Sequence, residues 1–142
     1  MMRSLFLLLT LSLFGFLASR CEGEPYRQGR ILYENFCANC HMDDGSGLQG
    51  LIPPLNGSDY LEQNNLFTAC IIRYGQVDTI KVNGRTYQNP MPGFSQLSDF
   101  EITNVINYIN QAWTNDFGYV KLADIRQELE SCGPIPGNEV YE

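Results

Sequence analysis

Apolar positions are unevenly distributed along the 142 residues. The first block is continuous: residues 5–17, "LFLLLTLSLFGFL", carry no charge and offer no polar face. From residue 29 onward the apolar positions become spaced. Gly29, Leu32, Tyr33 and Phe36 recur at steps of three, one and three, which predicts a helix ending near Phe36. Residues 43–59 are rich in glycine and contain Pro53–Pro54, so a loop is expected there. A second helix is predicted from about Leu61 or Asn64 to Tyr74, with Gly75 as its stop. "IKVNGRTY", residues 80–87, brackets Asn83–Gly84, a pair suited to a two-residue hairpin turn because both positions need positive φ. "NPMPGF" follows as an extended loop, since prolines flank Met91 on both sides.

The third helix has the strongest pattern. Ser98 with Glu101 forms a capping box, and Ile102, Val105, Ile106, Ile109 and Trp113 make one apolar stripe. A fourth helix is predicted from about Lys121 to Ser131, with Leu122, Ile125, Leu129 and Cys132 on one face and Gly133–Pro134 ending it. Residues 133–142 read as a loosely held tail. The fold class is therefore mainly α, with short helices, long loops and one small hairpin. Such elements give a thin core for about 120 residues, which implies that something besides side chains fills the middle.

The continuous apolar block changes the picture of the N-terminus. Arg3 is the one early charge, the run is short for a permanent membrane span, and small residues Ala18 and Ser19 follow it. This is the pattern of an export signal. The expected organisation is a signal peptide at 1–20, a polar leader at 21–28, a folded domain at 29–132 and the tail. Without Arg3 and Arg20, seven basic residues face sixteen acidic ones, a formal charge of −9. That balance argues against nucleic-acid binding, which rewards lysine and arginine. It suits either solubility alone or docking against basic patches on partners.

Five cysteines in an exported chain each need an account: Cys21, Cys37, Cys40, Cys70 and Cys132. Cys37 and Cys40 lie in "FCANCH", directly before His41, the single histidine. A structural zinc site needs four ligands, usually as two close pairs, and no second pair exists. A thioredoxin-like dithiol should follow a strand and open a helix, whereas this pair ends a helix and opens a loop. Haem attachment needs C-x-x-C-H, which is complete here. Two thiols at that spacing can bond the two vinyl groups of one porphyrin while the adjacent imidazole reaches the iron. A second axial ligand cannot be another histidine. Met1 and Met2 leave with the signal and Met42 is too near His41, so Met91, fifty residues beyond His41, remains. His/Met is a recognised axial pair.

With these residues in place, the stretch from Gly29 to Trp113 resembles a class I monohaem c-type cytochrome. The resemblance implies a helical domain around one covalent haem c, with "GRILYENFCANCH" supplying Gly29 and Tyr33 to cross the last core helix at Val105, Tyr108 and Ile109. It implies that the carbonyl of Pro53 accepts a hydrogen bond from the far ring nitrogen of His41, and that "NPMPGF" presents Met91 as distal ligand. The hairpin just before it is similar to those that shield a haem edge in related domains. Arg85 or Tyr87 reaching a haem propionate and a merely solvated hairpin face both remain open. The extra helix at about 119–132 lies beyond the family core of 29–113.

Cys70 and Cys132 are expected to form a disulfide stapling that extra helix, against the alternative of two buried free thiols. Closing a loop of about 60 residues would stabilise by roughly 4 kcal/mol in the chain-entropy model. Cys21, just after the apolar run, resembles the lipid-attachment cysteine of bacterial lipoproteins, although Arg20 stands where such signals carry a small residue. The implied function is electron transfer without catalysis, by an exported monomer meeting redox proteins at the haem edge. It would be periplasmic, or tethered through Cys21 to the outer side of the inner membrane or to the outer membrane. The alternatives are a peroxidase or gas sensor with a displaceable Met91, or the haem subunit of a larger dehydrogenase or oxidase.

Overall fold

The computed structural model describes residues 25–134 and the backbone of residues 140–141. The expected signal peptide, Cys21 and the first half of the expected leader, residues 21–24, fall outside the described residues. Helix α1 spans Arg27–Phe36 and ends on Cys37, whose N–H donates to Tyr33 O. A single turn, α2 (Ala38–His41), follows immediately. Gly29 is buried where α1 crosses α5 (Asp99–Gln111), because a Cβ there would collide with the carbonyl of Asn104 and with Tyr108 Cβ. One turn on, the Tyr33 ring lies 5.4 Å from Tyr108 and 5.4 Å from Trp113. The crossing therefore uses Asn104 and Tyr108 as the nearest partners of Gly29. Helix α5 carries the expected capping box, Ser98 with Glu101. Trp113 stands just past the helix at φ 58° and donates from Nε1 to Asp43 O at 2.9 Å.

The predicted second helix is two helices, α3 (Asp59–Gln63) and α4 (Thr68–Tyr74). The interruption has a local cause. Asn64 directs both its backbone N–H (3.0 Å) and its side-chain amide (2.8 Å) at Tyr60 O. Its backbone leaves helical geometry at φ −116°, ψ 33°. Asn65 is diverted to Phe117 O at 3.0 Å. Short polar side chains that satisfy backbone groups in this way compete with helix continuation. Gly75 ends α4 at φ 83°, as expected.

Strands β1 (Ile80–Val82) and β2 (Arg85–Tyr87) form the hairpin, with Ile80 opposite Tyr87 and Val82 opposite Arg85. Asn83 and Gly84 take positive φ, 49° and 79°. The hairpin tip is tied to the start of α3, where Asn83 and Asp59 exchange hydrogen bonds of 2.7 and 3.1 Å. Helix α6 (Leu122–Ser131) packs Ile125 into the core. Cys132, at its end, and Cys70, on α4, stand at disulfide distance with their Cα atoms 6.1 Å apart. The tail is not wholly unpaired: β4 (Val140–Tyr141) runs parallel to β3 (Gly93–Phe94). Residues 135–139 and 142 lie outside the described set.

The segment between α5 and α6 is sewn to α5 by buried asparagines. Asn107 donates to Val120 O at 3.0 Å and accepts from Val120 N at 2.8 Å. Asn115 donates to Leu55 O and Ile109 O at 3.0 and 2.7 Å and accepts from Gly57 N at 2.7 Å. Each pairing satisfies a backbone group that burial would otherwise leave without water.

Candidate functional site

The helices and the hairpin surround one open-sided cavity of about 1060 Å³, solvent at its mouth included. Cys37, Cys40, His41, Pro53 and Met91 all line it. The remaining wall is mostly apolar: Leu55, Ile72, Val105 and Ile109 from the core, and Ile80, Val82 and Tyr87 from the hairpin. Tyr87 is buried against the cavity, while Arg85 is exposed and does not line it.

The CANCH stretch is bent into place by its own backbone. Because α1 stops at Cys37, the α2 turn closes on it, with the His41 N–H donating to Cys37 O at 2.9 Å. This sets Cys37, Cys40 and His41 at helical spacings of three and four, on one side of the turn. Met42 then leaves at φ 64°, its carbonyl accepting from the Tyr33 hydroxyl at 2.6 Å. Met42 does not line the cavity, in keeping with its exclusion as a ligand.

His41 is 7% exposed, and its Nδ1 donates to Pro53 O at 3.1 Å. That bond assigns the proton to Nδ1 and leaves the Nε2 lone pair for a metal. Burial lowers the imidazole pKa from its ordinary 6.5, with the Pro53 bond opposing it, so His41 is neutral in neutral solution. The loop that presents Pro53 is folded tightly. Gly47 sits at φ 66° with its N–H on His41 O at 3.0 Å, and a Cβ there would come within 2.5–2.6 Å of the carbonyl oxygens of Ile52 and Pro53.

Met91 reaches the cavity from a different direction. Its N–H and C=O exchange two hydrogen bonds of 2.8 Å with Gln76, just past the end of α4. Sequence reasoning identified Met91 but not Gln76, because an isolated bridge fifteen residues away leaves no periodic signature.

This donor set fits a covalently held haem. Two free thiols, an imidazole with an available nitrogen and a thioether share one apolar cavity. The zinc reading fails, since no group of three or more His, Cys, Asp or Glu among the described residues could hold a metal ion. The redox-dithiol reading lacks its structural context, because the pair follows a helix and not a strand. Burial, and then the neighbouring Cys40, push the Cys37 thiol up to about 12.

The comparisons with known proteins agree. Cytochrome c-552 of Thermus thermophilus is 38% identical over 81 residues, which cover 54% of this chain and 62% of that protein. The cytochrome c subunit of a quinone-dependent alcohol dehydrogenase from Gluconobacter oxydans is 33% identical over 117 residues, 80% of this chain and 24% of that subunit. The gluconate 2-dehydrogenase cytochrome c subunit of Pantoea cypripedii is 27% identical over 99 residues, 66% of this chain and 22% of that subunit. The chain thus spans less than two thirds of the length of these relatives. Residues 26–113 match the cytochrome c family, and with the site that they enclose this shows that the chain belongs to that family, whose cofactor is covalently bound haem c.

Proposed function

We propose that this protein is a single-haem electron carrier in which Cys37 and Cys40 form the thioether links and His41 and Met91 complete the iron's axial pair. The observation that carries this reading is the convergence of these four side chains on one apolar cavity. Bound there, the haem supplies a one-electron couple between ferric and ferrous iron. Pro53 holds the proton on Nδ1 of His41 and keeps the imidazole in one orientation. The apolar wall excludes water and raises the cost of charge at the centre. With Met91 as the second iron ligand no open position would be left for a substrate, which supports a carrier over a catalyst. Exchange with partner redox proteins takes place at the cavity mouth.

Export by the N-terminal apolar run, periplasmic placement and a monomeric state belong to the same proposal, as does tethering through a lipidated Cys21. Nucleic acid is not a partner of so acidic a chain. A second reading, the haem subunit of a larger dehydrogenase, is favoured by the two dehydrogenase subunits among the relatives. Co-purification with a dehydrogenase would select it.

The test is spectroscopic. The oxidised protein should show a methionine-to-iron charge-transfer band, and the reduced protein should not bind carbon monoxide. Met91→Ala should abolish the band and admit carbon monoxide while haem stays covalently attached in a denaturing gel. Rapid carbon monoxide binding by the wild type would favour the peroxidase or gas-sensor alternative. Persistence of the band in Met91→Ala would show that another residue is the distal ligand.

A further inference from the structure

The loop carrying Met91 has little to hold it locally. Gln88, Asn89 and Pro90 are exposed, and prolines flank the methionine. Its attachments converge instead on the last turn of α4 and the residues just past it. Gln76 brackets Met91 with two backbone bonds of 2.8 Å. Gly93 is pressed against the same chain end, where a Cβ would come within 2.7–2.9 Å of Arg73 O, Tyr74 C and Gly75 N. The Arg73 guanidinium donates to Ser95 O at 3.3 Å and to Asp99 Oδ1 at 2.7 Å, fixing the far end of the loop.

This anchor is itself weak as an isolated element. Helix α4 has seven residues, too few for independent stability, and Gly75 follows at φ 83° as a ready pivot. Within the matched region it is held by Ala69 and Ile72, buried in the core against α5, and by the Arg73–Asp99 pair; further links come from beyond that region. Cys70, one helical turn before Tyr74, is at disulfide distance from Cys132 at the end of α6. Arg126 of α6 adds an exposed 3.5 Å ion pair to the Asp99 that Arg73 already holds. After Cys132 the chain returns to the loop itself as β4, pairing with Gly93–Phe94.

We propose that α6 and the Cys70–Cys132 link are a clamp that positions Met91, acting through the end of α4 and not on the haem directly. The proposal rests on Met91 as the distal ligand, and it gives the segment after residue 113 a function in holding that ligand. Cys70, Arg73 and Gln76 are its positioning residues.

Amide hydrogen exchange in the haem-loaded full chain tests it, followed residue by residue at Gln76 and Met91. The Cys70→Ser/Cys132→Ser variant should speed exchange at these two amides by roughly tenfold or more relative to those of α1 and α5, because only a local unit is released. Leu32→Ala, a core substitution in α1, lowers stability without touching the clamp and should leave that ratio unchanged. Arg73→Gln keeps the disulfide and should give a smaller, severalfold acceleration at the same amides. It carries the test if the double variant does not fold. The charge-transfer band of the double-serine variant should also become easier to abolish with added imidazole. Uniform acceleration across the molecule in the clamp variants, or none at Gln76 and Met91, overturns the proposal. A wild type with no charge-transfer band would sink Met91 as ligand, yet the exchange ratio would still decide whether the clamp holds its loop.

Discussion

On the His41 side of the cavity, support comes from the immediate neighbourhood. Cys37, Cys40 and His41 share one turn, and Pro53, twelve residues on, bonds the imidazole. On the Met91 side, support comes from Gln76, just past the end of α4, and from Arg73 in its last turn, with α6 and Cys132 proposed to brace them from later in the chain. The first wall can form as soon as a short stretch of chain folds. The second exists only when the whole domain has closed, since contacts of high sequence separation must first offset loop-closure entropy. With His41 and Met91 as the proposed ligand pair, one ligand would be held locally and the other would depend on closure of the whole domain.

The largest test of this contrast is Gly47→Ala. Its Cβ would enter the space of the Ile52 and Pro53 carbonyls at φ 66°, so both overpacking and backbone strain oppose it. The expected loss is about 3 kcal/mol in denaturant melts, together with an altered His41 environment by NMR. A loss under about 1 kcal/mol would mean that this wall is softer than its geometry implies. Gly93→Ala is the distal counterpart, crowded against Arg73–Gly75 but without positive φ. It should cost about 2 kcal/mol and should weaken the methionine-to-iron band while leaving His41 resonances in place. If both variants disturb both ligands equally, the two walls are not independent.

Ser98→Ala is smaller, about 1 kcal/mol, because it removes one helix cap just after the distal loop. Its effect should depend on pH. Hydrogen bonds from Ser98 lower the Glu101 carboxyl below its ordinary 4.5, so the folded chain gives up that proton more readily than the unfolded one. The stabilisation is present above 4.5 and is lost as pH falls through the folded value. The gap between the wild type and Ser98→Ala should therefore narrow in acid, leaving the part due to the Ser98 Oγ cap on the Glu101 N–H. A gap that stays constant down to acid pH would show that the cap does not involve the ionised carboxylate.

Legibility in the sequence followed the same division. The first helix, the attachment string, the Asn83–Gly84 turn and the Ser98 cap were readable because each rests on residues within a turn or two of one another. Met91 was singled out by elimination among the methionines, and it lines the cavity, but its backbone bonds to Gln76 were not foreseen. The break between α3 and α4 was missed because Asn64 and Asn65 look tolerable in a helix until their side chains find Tyr60 O and Phe117 O. Trp113 was placed on the helical stripe, yet its left-handed backbone and its bond to Asp43 carry it off the helix to pack over Gly45. For Asn65, Trp113 and Met91 the deciding partner lies far along the chain, where local pattern carries no information. For Asn64 it is Tyr60 O, four residues back, a competing bond that helical periodicity does not reveal.

The buried asparagines bear on where this domain could be cut. The family match ends at residue 113, which invites trimming there to obtain a minimal haem module. Asn115, two residues later, ties the Leu55–Gly57 loop to the end of α5, and Asn107, inside α5, has both ends of its amide satisfied by Val120. A chain stopped at 113 would strand the Asn107 side chain, 3% exposed, without its partner. The smallest sound boundary for recombinant shortening therefore lies past Val120, beyond the point where the family match ends.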